Sequence, residues 1–206
     1  MNKAESLYKK IKIGLLLTSI TGVGLIVISI FFGRENFFLQ LNGDGGKSAD
    51  IFFTLCTSFG EAISWLIVAV LFYIYQKDKF ILYFASLILS TILTQFIKHI
   101  FFENVNRPTS AISDLSQIHL VPGVELHTAN SFPSGHTATA FTIFLIGCLL
   151  INKKWFIPVG FIAALLVGYS RIYLAQHFPI DVGGGMLVAV ITVLLSVWIQ
   201  IKWGKK

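Results

Sequence analysis

Three short stretches combine residue types and spacings that suit chemistry: Ser131-Phe132-Pro133-Ser134-Gly135-His136, Ser170-Arg171, and the pair His177 and Asp181. Proline suits a first helical turn, because the N–H it lacks would be unpaired there anyway. Ser134 and Gly135 can leave backbone N–H groups pointing outward, and a helix starting near His136 adds the positive end of its dipole. Such a turn binds anions. His177 and Asp181 stand four apart, so on a helical turn the carboxylate reaches the imidazole, fixes its tautomer and makes the other ring nitrogen a better nucleophile. Phosphoryl transfer needs cationic or N–H donors around the phosphate, an in-line nucleophile and an acid for the leaving oxygen. Lys98, Arg107 and Arg171, with the Ser134 hydroxyl and Gly135 N–H, can supply the donors. His177 can attack and His136 can give the proton.

Each of these residues also has a plainer reading. Lys98 can be a lysine snorkelling to headgroups, Arg107 a solvated loop charge, and His177 with Asp181 a structural contact at a helix start. Asp114, His119, Glu125 and His127 read as ordinary loop polarity or as residues shaping an entrance. Asp181 is the one acid among the chemical residues, and no carboxylate cluster with metal-ligand spacing is visible. The reaction is therefore expected to need no metal and no cofactor. Cys56 and Cys148 both lie in apolar runs and are expected as buried, unpaired thiols.

The elements that must position these groups are membrane helices. Of 206 residues, 55% are hydrophobic, and uncharged apolar runs recur at the length that crosses a bilayer. They predict spans at about 13–32, 51–75, 80–102, 134–151, 155–173 and 181–201. The first follows Lys9, Lys10 and Lys12 like a signal sequence, yet it has no convincing cleavage site before Arg34-Glu35, so a retained span is expected. From Phe80 to Lys98 is about 27 Å of helix at 1.5 Å per residue, which sets Lys98 near the far edge of the hydrocarbon. The small residues Thr137-Ala138-Thr139-Ala140 and the run Gly183-Gly184-Gly185 predict close helix contacts.

Six spans return both termini to one side, and Lys3, Lys9, Lys10, Lys12, Lys77, Lys79, Lys153, Lys154, Lys202, Lys205 and Lys206 all fall there. By the positive-inside rule that side is cytoplasmic. Arg34, Lys47, Lys98, Arg107 and Arg171 remain for the outer face, and three of those five are the proposed phosphate ligands. The net charge of +6 thus sets topology, and no basic soluble domain exists to bind nucleic acid. No repeat or linker divides residues 1–206, so one membrane-embedded domain is expected.

Arg107-Pro108, then Pro133-Ser134-Gly135-His136, then Ser170-Arg171 with His177 and Asp181 behind it, resembles the three-part signature of the type 2 phosphatidic acid phosphatase superfamily. The resemblance covers about residues 98–181. It implies that His177 is a nucleophile forming a phosphohistidine, that His136 is the general acid and that Asp181 orients His177. It also implies that Lys98, Arg107, Ser134, Gly135 and Arg171 bind phosphate. The first part departs from the pattern, since eight residues separate Lys98 from Arg107 where the family commonly has six.

The expected activity is hydrolysis of a lipid phosphate or diphosphate at the outer leaflet of a bacterial inner membrane, with the lipid tail left in the bilayer. Undecaprenyl diphosphate is the first choice of substrate. Phosphatidylglycerol phosphate, phosphatidic acid and lipid A phosphates are rivals, and no obligate protein partner is inferred. An anion transporter or scaffold is the reading from a different class. A conduction path should set ionisable groups near the midplane, and a scaffold has no need of two histidines.

Overall fold

The computed structural model describes residues 3–151 and 153–204, and every regular element among them is helical. The α-helices run α1 (Lys3–Phe32), α2 (Arg34–Leu41), α3 (Lys47–Thr57), α4 (Ala62–Tyr75), α5 (Phe80–Phe96), α6 (Pro108–Ala111), α7 (Gly135–Leu150), α8 (Phe156–Tyr173) and α9 (Pro179–Trp203). Pro108 and Pro179 each open a helix, where the missing N–H costs nothing. Lys205 and Lys206 of the lysine asymmetry lie outside the described residues, as do the side chains of Lys3 and Lys10.

Ile11–Phe32, Lys77–Phe101, Phe156–Tyr173 and Pro179–Trp203 are long and apolar enough to cross a bilayer. Over the expected span at 51–75, Lys47–Gly60 and Ala62–Tyr75 form a pair bent by 56°. The cause is local. A 3-10 turn at Ser58–Gly60 is followed by Glu61 in extended conformation, and the hydroxyl of Ser64 donates to the freed carbonyl of Phe59 at 2.9 Å. A break at span depth survives when side chains satisfy the backbone in this way. α7, with 16 residues, is shorter than those four, and most of its residues are buried among neighbouring helices.

α9 is the hub and packs against α1, α5 and α7. In lipid no water drives apolar helices together, so close backbone approach must do it. The run Gly183-Gly184-Gly185 provides three such approaches. A Cβ on Gly183 would stand 2.6 Å from the Gly22 carbonyl oxygen of α1, and one on Gly184 would stand 2.5 Å from the Phe132 ring. At Gly185 it would stand 2.5 Å from the Ser134 carbonyl oxygen. The glycine run therefore seats the Pro133-Ser134-Gly135-His136 turn directly on α9.

Gly185→Ala is expected to destabilise the fold by about 1–3 kcal/mol, because the obstructing atom is backbone and cannot swing aside. Thermal unfolding of the purified protein in detergent checks this. An unchanged midpoint would show slack between α7 and α9 that the structure does not have.

Candidate active site

Two backbone devices present the reactive groups. The end of α5 loosens into a π turn over Ile97–Phe101 that carries Lys98, which is buried. Such turns are frequent at functional sites. That wider turn and the left-handed Asn104 take up chain between Lys98 and Arg107. Beyond α8, Ala175 turns in left-handed conformation at φ 54°, so that the N–H groups of Gln176 and His177 both donate to the Arg171 carbonyl, at 2.8 and 3.0 Å. Arg171 and His177 are thereby fixed to each other through backbone.

The His177 imidazole is 2% exposed. Its Nδ1 lies 3.4 Å from Asp181 Oδ2, and its Nε2 lies 3.4 Å from Arg107 Nη1. Those partners define the tautomer: Nδ1 carries the hydrogen toward the carboxylate, and the Nε2 lone pair faces the guanidinium. Burial, then the positive charges of Arg107, Arg171, Lys98 and His136, hold His177 well below the ordinary imidazole range. The ring is therefore neutral and able to attack at physiological pH.

Asp181 Oδ2 also accepts from the Ser131 hydroxyl and from the Phe178 N–H at 2.9 Å. One carboxylate thus caps the start of α9 and orients the histidine. The Ser134 N–H donates to the Asp181 carbonyl at 3.0 Å, which joins the two motifs through backbone.

Arg107 is buried and hydrogen-bonded, so it is not a solvated loop charge. Its Nε donates to Ala129 O and its Nη1 to Gln176 O, both at 2.9 Å. Burial lowers the guanidinium below its usual range while Asp181 opposes that shift. Arg171 Nη1 donates to the Thr57 hydroxyl at 2.6 Å, and its Nε has no partner. A buried guanidinium N–H without an acceptor is what an anion would complete.

A cavity of about 310 Å³ opens onto this group, lined by His136 and Arg171 with Thr57, Glu61, Glu125 and His127 among others. Glu125 and His127 thus shape the cavity, whereas Asp114 caps a 3-10 turn by accepting from the Ser116 N–H. Of the anticipated ligands, Gly135 lines a second, smaller cavity beside His136. Ser134 is fully buried, and its Oγ accepts from the Thr137 hydroxyl at 2.9 Å and N–H at 3.4 Å. It is the helix cap of α7, with only its own hydroxyl hydrogen left to offer.

Sequence reasoning missed Thr57, Glu61 and Gln176, and it gave Ser131 no role of its own. Glu61 had a signal, an acid inside an apolar run, and its Oε1 lies 3.6 Å from His136 Nε2. Thr57 and Gln176 had none, since only the bend after α3 and the turn after α8 bring them in. Also unforeseen is a clamp around Asn42, whose Nδ2 donates to Ile172 O at 3.0 Å and Tyr173 O at 2.9 Å and whose Oδ1 accepts from the His119 N–H at 2.7 Å. His119 Nε2 lies 2.9 Å from Asp50, which also accepts from the Tyr173 hydroxyl at 2.6 Å. The fold thereby gathers Asp44, Asp50 and His119 within 4.8 Å of one another, a grouping of metal-ligand types that the sequence hides. None of the three lines the cavity at His136; His119 stands between the two carboxylates, while Asp50 accepts from the Tyr173 hydroxyl and Asp44 from the Gly46 N–H.

The sequence model of the PAP2 superfamily matches residues 79–205. A protein of Sulfolobus acidocaldarius named undecaprenyl-diphosphatase is 29% identical over 146 residues, covering 70% of this chain and 67% of that protein. Undecaprenyl-diphosphatase BcrC of Bacillus subtilis is 43% identical over 74 residues, which span 35% of this chain and only 37% of that protein. The crystal structure of Aquifex aeolicus LpxE superposes with a TM-score of 0.67 at 31% identity, over 78% of this chain and 92% of that one.

Proposed function

The chain belongs to the PAP2 superfamily, a membrane-helix hydrolase of phosphoric monoesters, and from that premise we propose that it removes the terminal phosphate of a lipid diphosphate through a phosphohistidine. The observation that carries the reading is His177 itself: Asp181 stands at Nδ1, and beside Nε2 stands the Arg107 guanidinium, a donor for an oxygen of the phosphate whose phosphorus Nε2 attacks.

The steps follow from the groups present. Nε2 of His177 attacks phosphorus, a P–N bond forms, and the P–O bond to the lipid breaks with its electron pair on oxygen. His136 gives its proton to that oxygen. Water then attacks phosphorus, His136 takes the water's proton, the P–N bond breaks and inorganic phosphate leaves. Arg107, Arg171 and Lys98 balance the charge on the equatorial oxygens throughout. Gly135 adds an N–H, and Ser134 holds that N–H in position as the cap of α7.

Undecaprenyl diphosphate is the favoured substrate, supported by the names of the Sulfolobus and Bacillus relatives. The outer leaflet is the favoured side, supported by the lysines that gather at the opposite loops. Six crossings with cytoplasmic termini follow if the bent pair α3–α4 and the short α7 each count as one. Phosphatidylglycerol phosphate, phosphatidic acid and lipid A phosphates present the same charged end to the same cations and are the alternatives to test.

The test is phosphate release by the purified protein in detergent from those four lipids, with and without EDTA. Release from undecaprenyl diphosphate fastest of the four, at equal rates with and without chelator, is the expected result. Loss of activity in EDTA would overturn the metal-independent mechanism and direct attention to Asp44, Asp50 and His119. No release from any lipid would leave anion transport as the reading to pursue.

A further inference from the structure

A second cavity, of about 130 Å³, shares His136 with the first and is lined by Ser90, Thr94 and Gln95 of α5 and by Gly135 and Thr139 of α7, among others. Resting on the phosphatase reading above, we infer that this cavity is the leaving-group subsite and holds the phosphate that stays with the lipid when a diphosphate is cleaved. His136 lines both cavities, so a leaving oxygen that it protonates is within reach of both. In an in-line displacement the leaving group departs away from the nucleophile and toward the acid.

The two cavities differ in lining in a way that fits the two products. The larger one is lined by Gly123, Glu125, His127 and Gln176 of the loops, where inorganic phosphate can leave to water. The smaller one is lined from Ser90 to Gln95 by the membrane-crossing stretch Lys77–Phe101, where a lipid remains.

Its walls are built for an acceptor of hydrogen bonds. Thr94 is 4% exposed and its hydroxyl has no partner, although it stands against the start of α7, its methyl 3.6 Å from where a Cβ on Gly135 would be. Ser90, Thr94 and Lys98 follow at i, i+4 and i+8, so they share one face of the helix, and all three are buried. Two hydroxyls thus lead along that face to a cation. A buried hydroxyl left unpaired at membrane depth is costly, and phosphate oxygens would pair it. The cavity equals about four waters' share of liquid volume, enough for one tetrahedral phosphate. An alkyl monoester brings only its ester oxygen into this space and leaves the donors without partners. A site of that kind discriminates against ligands that lack the acceptor.

The test compares farnesyl diphosphate with farnesyl monophosphate, which share a chain and differ by the phosphate in question. For the double variant Ser90→Ala/Thr94→Val, the diphosphate-to-monophosphate ratio of kcat/KM is expected to fall about tenfold or more, the order lost when a hydrogen-bonding site loses its donors. Thr94→Ser, which keeps the hydroxyl, should hold the wild-type ratio. Ser86→Ala removes a buried, unpartnered hydroxyl two turns from Thr94, outside this cavity, and should also leave the ratio unchanged. A ratio that stays constant in both Ser90→Ala/Thr94→Val and the single Thr94→Val, or that shifts equally in Ser86→Ala, overturns the subsite while leaving the phosphatase reading intact. Wild-type protein that releases phosphate from neither compound overturns the phosphatase reading and the subsite with it.

Discussion

His177→Ala is expected to cut phosphate release by about 10⁴-fold or more, the scale seen when a covalent nucleophile is removed. The residual rate would be what the cations and bound water can do alone. His177 is 2% exposed and packed beside Arg107, so truncation also leaves the Nη1 of that guanidinium facing a void. Folding must therefore be measured alongside activity, and His177→Asn serves as the closer replacement, filling most of the space while giving no imidazole nitrogen to attack phosphorus. Both variants should elute and melt as folded protein while losing turnover. Near-normal turnover in a folded variant of either kind would sink the phosphohistidine. A direct check is acid-labile, base-stable phosphate on the wild-type chain after rapid quench with labelled substrate, absent from both variants.

The second large effect belongs to His136, and its size should depend on what leaves. Removing a general acid costs roughly 10²–10⁴-fold when the leaving oxygen needs a proton. An alkoxide leaving a monoester needs it badly, whereas the phosphate leaving a diphosphate already carries the charge comfortably. His136→Ala is therefore expected to lose activity toward farnesyl monophosphate by the larger factor and toward farnesyl diphosphate by at least tenfold less. Equal losses on both would make His136 a phosphate ligand and not an acid. Glu61, whose carboxylate lies 3.6 Å from His136 Nε2, must yield that nitrogen to the leaving oxygen as substrate enters.

Several features were legible in the chain because they are properties of short segments. Apolar runs of bilayer length can satisfy their backbones only as helices, so helical spans followed from composition and length. The pair His177 and Asp181 could be read at four-residue spacing because that spacing fixes geometry on one helical turn. Pro133-Ser134-Gly135 announced a helix start for the same reason, and the glycine run of α9 announced a close approach.

What the tertiary structure decided is what depends on residues far apart in sequence. The run 51–75 gives no sign of its 56° bend, because the break at Gly60 is fixed by the approach of His136: a Cβ at Gly60 would lie 2.7 Å from the His136 Cβ. That bend brings Thr57 to Arg171 and Glu61 to His136. Arg107 reads equally well as loop or ligand until Ala129, Gln176 and His177 are seen around it. Asn42 looks like loop composition, yet its amide ties together backbone 77 to 131 residues away. Packing also decides that the Ser134 oxygen accepts from Thr137. Local rules of period and length act within one helix, and they cannot say which faces meet. The chemistry of this site lies where α5, α7, α8 and α9 converge, so the residue types were written in the sequence while their partners were set by the packing of the helices.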